Sequence, residues 1–125
     1  MAEPARRDAP LDVRQREDDG VVLVSVRGEL DLATAPQLVA ELDPLRRLSS
    51  PRVLVDLREL EFCDSTGLRA LMGVAGEVRA ARGRIALVVG PGGVARLLAV
   101  TGAAEWFDIQ PDPDSALVAL GRRVS

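Results

Sequence analysis

The sequence predicts a single α/β domain on a small, mixed and mostly parallel sheet that opens with an antiparallel hairpin and carries about four helices. Three observations lead there. Short apolar runs rich in Val, Leu and Ile alternate with segments whose apolar residues recur at helical spacing, the pattern of strands joined by helical crossovers. The first two strand-like runs are separated only by a turn at Asp19-Gly20, which makes them antiparallel neighbours. At 125 residues, 47% hydrophobic and 28% charged, the chain has the bulk for one core and little else.

Taken in order, residues 1–10 are charged and proline-containing without periodicity, and are expected to be a disordered arm; the domain is expected to span 11–125. Leu11, Val13 and Gln15 alternate with Asp12 and Arg14, and 21–26 form the second strand. From Ala33 the spacing of Leu38, Leu42 and Leu45 is helical, with Thr34 as the expected cap and Pro36 in the tolerated first turn. Pro44 lacks an amide donor, so the last turn should kink or separate. Residues 53–57, Val-Leu-Val-Asp-Leu, read as the central strand, buried on both faces. Leu68, Leu71, Ala75 and Val78 lie on one face of a second helix that Gly83 should stop. A strand at 85–89, a glycine-rich turn at 90–93, a short helix marked by Val94, Leu97 and Leu98 and ended by Gly102, and a last strand near Trp106-Phe107-Asp108-Ile109 follow. Asp112 and Pro113 open a closing helix striped by Leu117, Leu120 and Val124. The predicted order is β-β-α-β-α-β-α-β-α.

Composition removes several kinds of chemistry. All 16 basic residues are arginine, and histidine, lysine and tyrosine are absent. There is thus no Ser-His-Asp relay, no Schiff-base or phosphate-loop lysine and no imidazole metal ligand. No metal site, no cofactor and no catalysis are expected. The net charge of −3 gives no general attraction to nucleic acid or an acidic membrane. A polar start without a signal-peptide core, apolar runs far short of the ~20 residues of a membrane span, and the lone Cys63 make the cytoplasm the expected location.

Two stretches concentrate polar chemistry. Asp64-Ser65-Thr66 enters the second helix, where such residues serve the unpaired amides of the first turn. Leu60, Phe62 and Cys63 bracket that loop and should hold it. Arg27-Gly28-Glu29-Leu30-Asp31 leads into the first helix through an expected glycine turn. Elsewhere, the turn at 90–93 lacks the lysine of a nucleotide loop and reads as a plain connection, although a small-ligand module using it is a third option. Cys63 reads as a small apolar filler, Trp106 and Phe107 as core, and Arg46-Arg47 and Arg122-Arg123 as cations at helix C-termini.

Gly28-Glu29-Leu30-Asp31 before the first helix, the Val-Leu-Val-Asp-Leu strand, and Phe62-Cys63-Asp64-Ser65-Thr66-Gly67-Leu68 opening the second helix together closely resemble the anti-anti-sigma factors, single-domain members of the STAS family. The segment from Ile85 to Ile109 is also similar, and the resemblance covers roughly residues 11–122. It implies an antagonist that, unphosphorylated, binds an anti-sigma factor and so frees a sigma factor. The anti-sigma factor is also a serine kinase carrying its own ATP, and a serine phosphatase reverses the modification. The matching acceptor is Ser65, with Thr66 as the second-choice hydroxyl. Glu29, Asp31, Asp64, Thr66, Gly67 and Leu68 are the expected partner-binding positions. The rival expectation is a non-switching STAS subunit of a transport or signalling complex, in which Ser65 is only a cap.

Overall fold

The structure is a computed structural model and describes residues 11–121. The expected N-terminal arm and the positions of Arg122, Arg123 and Val124 lie outside the described residues. Six strands, β1 (Leu11–Asp18), β2 (Val21–Leu30), β3 (Arg52–Asp56), β4 (Leu60–Cys63), β5 (Arg84–Val88) and β6 (Asp108–Gln110), alternate with four helices, α1 (Ala35–Leu42), α2 (Ser65–Ala80), α3 (Gly93–Thr101) and α4 (Pro113–Ala119). The sheet order is β1-β2-β3-β5-β6, with β4 pairing beside β3 on β2. Only the opening hairpin is antiparallel. The predicted fold class and the central position of β3 hold.

Burial explains the layering. The inward rows of the strands and the apolar stripes of α1, α2 and α3 form the main core, with Leu38, Val53, Val55, Ala75, Val78 and Leu87 fully enclosed. Leu54, Ala86 and Val88 point to the other face, where α4 covers them with Ala116 and Leu120. One apolar patch per face is what a strand of consecutive Val and Leu requires, since alternate side chains go to opposite sides.

Several local expectations are revised. The second strand continues to Leu30 rather than turning at Gly28: Gly28, at φ 104, sits where the pairing of β2 with β4 shifts register, and the extra residue there is Glu61 of β4, which has no partner on β2. Residues 60–63, for which the sequence predicts no strand and which it reads as bracketing the loop, form β4. Pro44 does separate the last turn of the first helix, which becomes a 3-10 helix over Asp43–Arg47 with Arg46 Nε paired to Asp43 at 2.8 Å. The second helix ends at Ala80, and it is Arg82, at φ 64, that turns the chain. Gly83 is needed for closeness instead, because a Cβ there would lie 2.1 Å from the Pro51 carbonyl oxygen. Gly102 ends α3 as expected, at φ 76. Asp112 caps α4 through Oδ1, which accepts from the Ser115 amide at 2.8 Å. Phe107 is core, but Trp106 is half-exposed at the end of a 3-10 turn and leaves the core to its neighbour.

Candidate functional site

The two polar stretches meet at the C-terminal ends of β2 and β4. Glu29 pairs with Phe62 and Leu30 with Cys63 in the parallel ladder, and the Asp64 amide then donates to the Leu30 carbonyl at 3.2 Å. Leu30 is therefore the hinge point from which one chain segment runs into Asp31 and against which the other starts α2. Open α/β sheets place their sites at this end of the strands.

At the start of α2, Asp64 has extended backbone and its Oδ1 accepts from the Gly67 amide at 2.8 Å, an N-cap with the usual spacing. Ser65 is the first helical residue and is exposed. Among the described residues none hydrogen-bonds to its Oγ. The capping role that the sequence offered to Asp64, Ser65 and Thr66 alike thus falls to Asp64, and the serine hydroxyl is left open to solvent at the positive end of a 16-residue helix. Thr66 is half-buried. Gly67 and Leu68 face inward: Leu68 is in the core, and a Cβ on Gly67 would lie 2.5 Å from the Leu30 carbonyl oxygen. These two hold the loop in place rather than presenting surface.

At the start of α1 the expected side-chain cap is not made. Thr34 is almost fully buried and caps nothing with its side chain. Its Oγ1 donates to the Glu29 carbonyl at 2.8 Å and accepts from the Asp31 amide at 2.9 Å. Asp31 closes the turn ahead of the helix, its Oδ1 accepting from the amides of Ala33 and Thr34 at 3.0 and 3.1 Å. Glu29 is exposed and Asp31 half-buried beside it.

Apolar side chains surround these polar groups in a way the sequence did not disclose. Phe62, expected to fasten the loop, is 49% exposed, and Leu32 is 73% exposed. A groove of about 860 Å³ runs between α1 and α2, with Leu32, Pro36, Val39, Thr66, Arg69 and Gly73 among its lining. Single exposed apolar residues are ordinary; several beside one polar loop are less so. Strand alternation alone would place Phe62 inward with Leu60; the irregular pairing of β4 with β2, with Glu61 as the extra residue, turns it outward.

Cys63 is half-buried. Burial, and then the neighbouring Asp64 carboxylate, push its thiol up to about 11, so it remains a neutral filler at ordinary pH, as expected. Among the described residues no group of three or more acidic or Cys side chains could hold a metal ion, and no helix is long and apolar enough to cross a membrane.

The family model described as "Mlab, STAS domain" matches residues 13–111. The chain belongs to the STAS domain family. It is 31% identical to the anti-sigma-B factor antagonist of Bacillus subtilis over 99 residues, which is 79% of this chain and 88% of that protein. The crystal structure of an anti-sigma factor antagonist from Mycobacterium paratuberculosis superposes with a TM-score of 0.81 at 31% identity, covering 89% of this chain and 94% of that one. The murine anion transporter Slc26a9 contains the same fold, with a TM-score of 0.72 at 18% identity, covering 85% of this STAS chain and 18% of the transporter. At that identity the likeness is one of fold alone.

Proposed function

We propose that this STAS protein is an anti-sigma factor antagonist that binds its anti-sigma factor when unphosphorylated, releasing a sigma factor, and is switched off by phosphorylation of Ser65. The partner is a serine kinase that brings its own ATP, a serine phosphatase resets the switch, and the exchange takes place in the cytoplasm. The protein is a substrate in this cycle and not a catalyst. Relatives named as anti-sigma factor antagonists support the class of partner.

One observation carries the choice of residue: Ser65 Oγ is exposed and unengaged because Asp64 supplies the cap. A phosphoryl group there would meet the first-turn amides and the positive end of the helix, so the domain can accept it without unfolding. The effect is then felt at the surface. A charge of about −1.5 to −2 beside Asp64, Glu29 and Asp31 would repel an acidic partner and must be desolvated by any partner that covers it. Glu29, Asp31, Asp64 and Thr66 form the polar part of the docking face, Gly67 and Leu68 fix the loop beneath it, and Phe62 and Leu32 add the apolar contacts.

The test is incubation with the candidate cognate kinase and Mg-ATP, followed by intact-mass analysis, site mapping, and a pull-down before and after. One phosphate on Ser65 with loss of the complex is the expected result. A stable complex with no phosphate would make the chain a constitutive STAS subunit instead.

A further inference from the structure

At the pole of the sheet opposite Ser65, we propose a binding pocket for a compact phosphate oxyanion, of the size of a diphosphate, built by Arg52, Arg82 and Arg84. Arg52 and Arg84 start the adjacent parallel strands β3 and β5 and are paired in register, so their side chains leave the same face of the sheet side by side. Arg82 stands two residues before Arg84 in the turn after α2. The three arginines line one concavity of about 340 Å³ together with Ser50, Leu120 and Gly121.

The guanidinium groups converge. A methyl placed on Gly121 would lie 3.6 Å from Arg84 Nη1 and 4.0 Å from Arg52 Nη1, so both reach one point. Among the described residues none of the three arginines is in an ion pair. Guanidinium groups converging on one concavity are placed for an anion to join them.

A bland role accounts for only part of this. The C-terminal ends of α2 and α4 both point to this pole, and Arg52 Nη1 donates to the Leu120 carbonyl at 3.5 Å. Two helix ends bring roughly half a negative charge each, whereas the arginines bring three full positive charges. The surplus, and the planar N–H forks of Arg82 and Arg84, suit phosphoryl oxygens, which accept two parallel hydrogen bonds from a guanidinium. Among the described residues no aromatic side chain lines the pocket, so the lining suits an anionic group and not a nucleobase. The volume is at the low end for small-molecule sites, which selects a small ligand.

This site is independent of the switch, and its test uses the isolated protein. Sodium pyrophosphate is titrated by calorimetry and by amide NMR at constant ionic strength set with sodium chloride. The expected result is saturable binding with shifts centred on Ser50, Arg82, Gly83, Arg84 and Gly121. Arg82→Gln and Arg84→Gln, both at exposed positions, should each weaken it about tenfold or more, while Arg96→Gln on α3 leaves it unchanged. Binding that does not saturate, shifts centred elsewhere, or equal affinity in the Arg82 and Arg84 variants would overturn the proposal.

Discussion

Gly67 lies directly against the carbonyl of Leu30: a Cβ at position 67 would be 2.5 Å from that oxygen and 2.7 Å from Leu30 Cγ. Because Leu30 also accepts the Asp64 amide, the first turn of α2 is clamped to the end of β2, and the loops carrying Ser65 and Asp31 share one surface. Gly67→Ala should therefore destabilise the domain by about 1–3 kcal/mol, the usual cost of overpacking. Gly76, on the same helix with nothing within 4 Å of a built Cβ, should behave oppositely, gaining up to ~1 kcal/mol as alanine. Urea unfolding of both variants checks this, and a shared sign would refute the clamp.

The division of labour between Asp64 and Ser65 can be separated by stability alone. Asp64→Ala removes the cap on the Gly67 amide and should cost about 0.5–2 kcal/mol. Ser65→Ala removes a hydroxyl that no described residue engages and should stay within about 0.5 kcal/mol of the parent. If the proposed switch is right, Ser65→Ala also keeps partner binding while blocking phosphorylation, and Ser65→Asp weakens binding. A Ser65→Ala protein that loses stability as Asp64→Ala does would return Ser65 to a structural role.

Thr34 offers a second test of how the site is held. Its buried hydroxyl joins the Glu29 carbonyl to the Asp31 amide. Thr34→Val keeps the shape but strands both backbone groups, so a loss of about 1–3 kcal/mol is expected. Thr34→Ser, which keeps the hydroxyl, should recover most of it. Thermal unfolding of the pair reads the hydroxyl apart from the methyl.

What the sequence could and could not disclose follows from how local each signal is. The hairpin, the proline break at Pro44 and the Asp112 cap depend on neighbouring residues and were legible. The turn of the Thr34 hydroxyl away from the helix and onto the Glu29 carbonyl was not, because Thr34 and Asp31 are short oxygen-bearing side chains three residues apart and only the backbone path out of β2 decides which amides each can reach. β4 is not legible in the sequence because four residues between a turn and a helix cap give too few alternations to read as a strand. Trp106 reads as core on the scarcity of aromatics, yet it closes a 3-10 turn on the surface, and Phe107, where the chain becomes extended, takes the inner place. The Ser65 motif was legible as a pattern. That its hydroxyl stands free was a matter of which neighbour accepts the Gly67 amide.

The half-buried Cys63 thiol, raised to about 11 by burial and then by Asp64, sets a pH window for both reactivity and stability. Only the thiolate reacts, and an unfolded cysteine titrates near 8.5. Between about 8.5 and 11 the folded protein holds a proton that the unfolded chain has released, so stability is fully present below the lower value and falls as pH rises through the window. Iodoacetamide alkylation of the native protein should show its half-rise near pH 11, while the urea-unfolded protein shows it near 8.5. Cys63→Ala should lose the part of the alkaline destabilisation that begins near pH 8.5, measured as a shallower fall in urea midpoint up to pH 10. A native half-rise close to that of the unfolded chain would mean that the thiol is neither desolvated nor facing Asp64, and the loop that presents Ser65 would then be more open than its hydrogen bonds to Leu30 and Gly67 imply.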